Sequence, residues 1–242
     1  SVTELLCTLG AASAKELCYF TGATNASVNA LEKAGYLTLS HREVFRRPKV
    51  SPGETAAPIV LQPEQQAAYE QLAGYLQEIK SVSLLYGVTG SGKTMVYLRL
   101  ISKVLALGKT ALVLVPEIAL TPQLMETFMR HFGDQVAVLH SALQTGQRYD
   151  EWKRIRAGKA TVVVGTRSAV FAPLQNLGLI VLDEEHESTY KSDHTPKYDT
   201  VEVAVKRLQD KDSRGVLILG SATPSVATYR RSEEGIYRLI KL

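Results

Sequence analysis

The chain has 242 residues, with 28 Lys and Arg against 24 Asp and Glu, a net charge of +4. Hydrophobic residues make up 45% and charged residues 21%, which excludes a mostly disordered chain, and at ~150 residues per domain the length allows one or two domains. No run approaches the ~18 uncharged apolar residues of a membrane-spanning helix, no charged-then-apolar leader opens the chain, and Cys7 and Cys18 supply neither a disulfide framework nor a four-ligand zinc site. The expectation is a cytoplasmic protein with no membrane partner, and the start at Ser1 instead of Met suits an excised piece of a longer chain.

Three short helical patterns come first. Val2, Leu5, Leu6 and Leu9 follow helical spacing. Ser13 and Glu16 form a capping box ahead of a second helix with Leu17, Cys18 and Phe20, broken at Gly22. Asn25 is placed to cap a third helix over 26–34, with Val28 and Leu31 inward and Gly35 as the stop. Leu37 and Leu39 then alternate with polar residues and Val44-Phe45 returns, a hairpin pattern. This order is the layout of a winged-helix domain, expected over 1–47. Its hairpin carries Arg42, Arg46, Arg47 and Lys49 against Glu43. Arg46 and Arg47 are candidate phosphate contacts, weighed against a solvated face on a bracing module. Residues 48–58, with Pro48, Pro52 and Pro58 and no apolar period, read as a semi-stiff linker.

From residue 59 to 242 strands and helices alternate. Pro63 suits a first helical turn, and Ala67, Ala68, Leu72, Leu76 and Ile79 follow at helical spacing. The pattern then predicts strand 82–86, helix 94–107, strand 110–115, helix 122–132, strand 136–139, helix 146–157, strands 161–164 and 179–183, helix 200–211, strand 216–220, helix 225–234 and strand 237–242. The strands are Val/Ile/Leu runs, as expected when helices cover both faces. The fold class is α/β, a mostly parallel, doubly wound sheet, with ligands at the carboxyl ends of its strands.

Gly87-Val88-Thr89-Gly90-Ser91-Gly92-Lys93-Thr94 fits G-x-x-x-x-G-K-[ST] between a strand and a helix. Glycines let the backbone curl round phosphates and present its amides, so Gly87, Thr89, Gly90, Ser91 and Gly92 are candidate nucleotide contacts. Lys93 is placed for the β- and γ-phosphates and Thr94 for Mg²⁺. The bland alternative, a chance glycine turn, is uncommon in this context. The apolar run Leu179–Leu182 delivers Asp183-Glu184-Glu185-His186. Two acids with different tasks suit phosphoryl transfer: Asp183 to hold Mg²⁺, Glu184 to orient or deprotonate the attacking water. The alternative is a solvated acidic turn. Loops 116–123, 165–168 and 220–224 follow other strands and are rich in hydroxyls and amides, which contact phosphates without reading bases. Thr121 lies in the first of them.

These motifs resemble those of the superfamily 2 helicases, in the DEAH-like branch, and among them the bacterial replication-restart helicases. The resemblance rests on Leu-Tyr-Gly-Val-Thr-Gly-Ser-Gly-Lys-Thr at 85–94, Leu-Val-Pro-Glu-Ile-Ala-Leu-Thr-Pro-Gln at 114–123, Val-Val-Gly-Thr-Arg-Ser-Ala-Val-Phe-Ala-Pro at 163–173, the acidic variant Asp183–His186 and Gly-Ser-Ala-Thr-Pro-Ser at 220–225. It implies a RecA-like, ATP-binding first helicase lobe behind a winged helix, with ATP and Mg²⁺ as cofactors. It assigns Gln65 to the adenine, Lys93, Thr94, Asp183 and Glu184 to ATP and Mg²⁺, and Thr166, Arg167 and Ser168 to single-stranded DNA. Thr121 counts among the DNA-binding or coupling residues. Thr223 would couple hydrolysis to DNA movement, and His186 would link the lobes. Tyr190 and Tyr198 fall in a segment, 187–198, where such helicases keep a DNA-sensing aromatic loop.

The implied activity is ATP-driven 3′-to-5′ unwinding at stalled forks and loading of the replicative helicase. The implied partners are single-stranded and forked DNA, single-strand DNA-binding protein and other primosome proteins, in the bacterial cytosol at the nucleoid. The family's second lobe, with its arginine finger, and its zinc-binding cysteines have no counterpart in these residues, so weak activity of this piece alone is expected. The rivals are a fork-reversal motor and a nucleotide-switched DNA-binding adaptor. Cys7 and Cys18 are expected as core thiols, His131 and His140 at the surface or helix ends, and Trp152 to pack the 146–157 helix.

Overall fold

Along each long strand of the molecule, Val, Ile and Leu side chains point alternately to two faces, and helices cover both. The computed structural model describes residues 2–9, 14–39, 58–78, 81–193, 195–208 and 215–242, which belong to two compact units, Ser1–Val44 and Phe45–Leu242.

In the first unit, α1 (Val2–Leu9), α2 (Ala14–Thr21) and α3 (Asn25–Lys33) pack in sequence, with Val2, Leu17 and Val28 buried. The cap of α3 is Thr24, not Asn25: the Thr24 hydroxyl accepts the Ser27 N–H at 3.3 Å. Cys7 is exposed and Cys18 half-buried, its thiol 3.5 Å from Asn25 Oδ1, so neither is a core thiol. Cys7 falls outside the Val2/Leu5/Leu6/Leu9 stripe, which explains its exposure. Ser13, the hairpin arginines Arg42, Arg46 and Arg47, Lys49 and all of the expected linker but Pro58 lie outside the described residues.

The second unit opens with α4 (Pro63–Gly74), ending in a 3₁₀ turn at Tyr75–Gln77. Then follow β1 (Ser81–Tyr86), α5 (Lys93–Ala106), β2 (Thr110–Leu114), α6 (Pro122–Phe132), β3 (Val136–Leu139), α7 (Thr145–Arg156), β4 (Val162–Gly165) and β5 (Leu177–Asp183). A small antiparallel pair, β6 (Lys191–Ser192) and β7 (Tyr198–Asp199), leads into α8 (Thr200–Arg207), β8 (Val216–Ser221), α9 (Val226–Glu233) and β9 (Arg238–Lys241). Sequence reading found the larger elements. It did not anticipate β6 and β7, nor the 3₁₀ turns at 117–119, 167–171 and 188–190, which are too short to carry a periodic pattern.

The main sheet has the order β3-β4-β2-β5-β8-β1-β9, and every pair is parallel. Helices α4, α5 and α6 cover one face, where Leu72, Ile101 and Phe128 are fully buried. On the other face lie α7, α8 and α9, with Ile155, Ala204 and Tyr229 packed against it. Each fully buried large apolar side chain contributes about 1.5–3 kcal/mol of transfer free energy. Trp152, expected to pack α7, is 36% exposed, with the Arg156 guanidinium 5.2 Å from its ring, so it lies at the helix surface. Residues 151, 154 and 155 form that helix's buried stripe, and position 152 lies off it. Among the described residues, no helix is long and apolar enough to cross a membrane.

Ser83, in the middle of β1, is fully buried, and its hydroxyl has no hydrogen-bond partner. An unpaired buried hydroxyl costs free energy. Ser83→Ala is therefore expected to leave stability unchanged or raise it by about 1 kcal/mol, as measured by denaturant unfolding.

Candidate nucleotide site at the strand ends

Parallel strands place all their carboxyl ends on one edge of the sheet. On that edge β1, β8 and β5 are neighbours, in the register Leu85–Gly220–Asp183. Residues distant in sequence meet there: the turn after β1, the acidic tip of β5 and the loop after β8.

The turn after β1 curls through Gly90 and Gly92, whose φ values of 83° and 85° are left-handed. Gly92 caps α5 and has a second reason to lack a side chain: a Cβ there would overlap the Gln65 amide. Lys93, the first residue of α5, is buried, and its ammonium donates to the carbonyls of Gly87 at 2.9 Å and Val88 at 3.3 Å. Ser91 Oγ is buried beneath the turn without a partner. Thr94 is half-buried directly after Lys93, and Thr89 is exposed on the turn. Gln65 is nearly buried and binds the turn itself. Its Nε2 donates to Ser91 O at 2.9 Å, and its Oε1 accepts the Gln62 N–H at 3.0 Å.

Asp183 ends β5. Its Oδ1 accepts the Tyr97 hydroxyl proton at 2.9 Å. Burial pushes the Asp183 carboxyl above the usual carboxylate range, while the Tyr97 hydrogen bond and the Lys93 ammonium pull it back. A carboxylate offers about four lone-pair sites, so the tyrosine's bond leaves capacity for a cation. Burial and the neighbouring carboxylate hold the Tyr97 phenol well above its ordinary value, so it stays protonated and donates. Glu184 has φ 48°, a left-handed backbone that non-glycine residues seldom adopt and that costs about 1 kcal/mol. It turns the chain sharply at the strand end.

Glu185 and His186 have different partners. Glu185 is buried and serves α9: it accepts the Ser225 N–H at 2.7 Å and the Thr228 hydroxyl at 3.0 Å. His186 Nδ1 shares a hydrogen bond with Ser221 Oγ at 2.9 Å and lies 3.7 Å from Glu184, and its Nε2 is 3.4 Å from Thr223 Oγ1. The Thr223 N–H in turn donates to Ser221 Oγ at 3.1 Å. His186 thus ties the acidic tip to the loop after β8.

The remaining candidates lie along the same edge. Thr121 caps α6, its hydroxyl accepting the Leu124 N–H at 3.2 Å. Thr166 is buried and its N–H donates to Leu139 O, while Ser168 is exposed. Arg167 donates to the carbonyls of Thr189 and Lys191, and its guanidinium lies 5.8 Å from the Tyr198 ring. Tyr198 is half-buried, edge-on to Phe171 at 4.9 Å. Tyr190, in the segment expected as a DNA-sensing loop, is not open to stack on a base: it is 3% exposed, and its hydroxyl is directed at the carbonyls of Asp183 (2.7 Å) and Leu114 (2.9 Å). Sequence reading missed Tyr97 and the capping role of Glu185. The spacing of Tyr97, four residues after Lys93 on one helix, was the available signal for the first.

The family model for DEAD/DEAH box helicases matches residues 62–232. The chain belongs to that family. It is 48% identical over 231 residues to the replication restart protein PriA of Bacillus subtilis, covering 95% of this chain and 28% of that protein. Against PriA of Synechocystis it is 44% identical, covering 84% of this chain and 24% of the relative. The chain therefore spans about a quarter of the length of these relatives. Among solved structures it resembles RecG bound to a three-way DNA junction (TM-score 0.58, 22% identity, 76% of this chain and 24% of that one). It also resembles the Hef helicase domain of Pyrococcus furiosus (TM-score 0.52, 23% identity, 74% and 37%). At these identities the likeness is one of fold, a RecA-like helicase lobe.

Glu185→Ala removes the acceptor at the start of α9 and is expected to destabilise the second unit by about 1–3 kcal/mol. Glu185→Gln, which keeps an acceptor oxygen, is expected to lose less. Equal loss for both in thermal or denaturant melts would contradict the cap.

Proposed function

We propose that this chain is the nucleotide-binding half of an ATP-driven 3′-to-5′ DNA helicase that acts in replication restart. The observation that carries this reading is the junction at the strand ends: the Lys93 turn, the Asp183–Glu184 tip and the Ser221–Thr223 loop stand on three adjacent strands. Lys93 is close enough to Asp183 to lower its proton affinity. The similarity to PriA of Bacillus subtilis over 95% of the chain supports the replication-restart assignment.

In this reading the turn amides of Gly87 to Gly92 receive the phosphates of ATP, aided by the helix N-terminus of α5. The Lys93 ammonium exchanges its carbonyl partners for phosphate oxygens. Gln65, already bonded to the turn, stands beside the adenine. Thr94 and Asp183 would hold Mg²⁺, which neutralises phosphate charge and orients the transferred group. Among the described residues no three His, Cys, Asp or Glu side chains form a metal cage, and Mg²⁺ is commonly held by one or two carboxylates together with substrate phosphates. Glu184, turned out of the strand by its left-handed backbone, orients the attacking water and takes its proton. His186 and Thr223 relay the state of the acidic tip to the loop after β8.

DNA lies along the same edge, near Thr121, Arg167 and Ser168, whose groups suit phosphates rather than bases. Arg167 grips the chain at 189–191, so movement of DNA against it would be felt at Tyr190 and, through its hydroxyl, at Asp183. Residues 1–47 act as a winged helix, with Arg46 and Arg47 as phosphate contacts. Single-strand DNA-binding protein and other primosome proteins are the partners of the longer protein, and the bacterial cytosol is its compartment. The chain supplies one side of a two-lobe ATP site, so turnover by this piece alone is slow.

Three measurements test the reading. DNA-stimulated ATP turnover should be weak for this chain and rise by about 10³–10⁵ when it is extended through a second lobe; equal turnover would remove the two-lobe site. In the extended protein, Lys93→Ala should weaken ATP binding at least about tenfold, whereas Glu184→Gln should keep ATP bound and slow hydrolysis about 10²–10⁴-fold. Normal hydrolysis by the Glu184 variant would place the base elsewhere. Charge reversal at Arg46 and Arg47 should flatten the salt dependence of DNA binding, and an unchanged slope would make residues 1–47 a brace.

A further inference from the structure

Tyr97 belongs to none of the motifs and has no part in the steps above, yet it is the side chain that touches Asp183. It stands on α5 four residues after Lys93, one turn along the same side of the helix. It is 1% exposed and lies within an otherwise apolar cluster with Val96, Leu100 and Val181. Phenylalanine would fill that volume equally well. The hydroxyl has one visible task, the 2.9 Å hydrogen bond to Asp183 Oδ1.

The fold clears room for that bond. Gly220 on β8 is paired in register with Asp183, and a Cβ at 220 would overlap the Tyr97 hydroxyl and lie 2.9 Å from Asp183 Oδ1. A helix, a central strand that carries no side chain at position 220 and an acidic strand tip thus meet at one oxygen. That bond, with Gly220 close against the same oxygen, limits rotation of the Asp183 side chain.

We propose that Tyr97 is a positioning residue for the divalent cation: its hydroxyl fixes the Asp183 carboxylate in one orientation, so that the remaining lone pairs meet the metal without prior reorganisation. Groups that orient a metal ligand typically change metal affinity about 10–100-fold when removed. The inference rests on the reading of Asp183 as a Mg²⁺-holding residue, and the experiment separates the two.

Binding of a fluorescent ADP to this chain is measured in EDTA and across a Mg²⁺ titration. For wild type, nucleotide binds in EDTA and binding tightens with Mg²⁺. For Tyr97→Phe, affinity in EDTA should stay within about twofold of wild type, the half-saturating Mg²⁺ should rise about 10–100-fold, and excess Mg²⁺ should restore wild-type binding. Gly220→Ala, which displaces the hydroxyl from the other side, should give the same signature. An unchanged Mg²⁺ requirement for Tyr97→Phe overturns the proposal. So does a loss of affinity that appears equally in EDTA and that excess Mg²⁺ does not restore, since that is the mark of a packing role alone. If wild type itself shows no Mg²⁺-dependent tightening, the reading of Asp183 fails and this inference falls with it.

Discussion

Strand β8 runs between β5 and β1, parallel to both, and the pairing brings Gly220 level with Asp183 on one side and Leu85 on the other. The chain needs this arrangement because its phosphate-loop pattern and its acidic tip are far apart in sequence. Pairing with a common neighbour brings their ends to one edge. A one-residue slip of β8 would replace Gly220 with a residue bearing a side chain and would exchange its two faces. Burial on both faces of the sheet opposes such a slip, since Leu217 and Leu219 face one helix layer while Val216 and Ile218 face the other.

The acidic motif shows how four consecutive residues serve separate ends. Asp183 still belongs to the strand and is held by Tyr97. Glu184 adopts a left-handed backbone and leaves the strand direction. Glu185 turns inward and satisfies the first turn of α9, and His186 binds Ser221 and Thr223. Strain of this kind persists only where surrounding structure over-determines it. Here the Glu185 N–H to Gly220 O bond and the Glu185 cap anchor the chain on the far side of Glu184.

A second layer of connections runs away from the acidic tip. The Tyr190 hydroxyl is directed at the Asp183 carbonyl, the Thr200 hydroxyl donates to Tyr190 O at 2.6 Å, and Arg167 holds the carbonyls on either side of Tyr190. Tyr190 is thus a buried anchor for the segment between β5 and α8, whereas Tyr198, edge-on to Phe171, keeps partial exposure. The two tyrosines look alike in the sequence because an aromatic in a short loop has no periodic neighbours to reveal its burial.

The sequence by itself determined the α/β class, the larger elements and the phosphate-loop and acidic motifs, because these depend on local spacing: apolar runs for buried strands, the helical period, and glycines where the backbone must turn left. It also pointed to the helicase family through contiguous motifs. Only the tertiary structure decided which strands are neighbours, that Tyr97 reaches Asp183, that Glu185 caps a helix some forty residues onward, and that Tyr190 is buried while Cys7 and Trp152 are not. The physical reason is that these facts are contacts across the sheet and between layers. A side chain's partner there is set by strand order and register, which no local pattern of residues encodes.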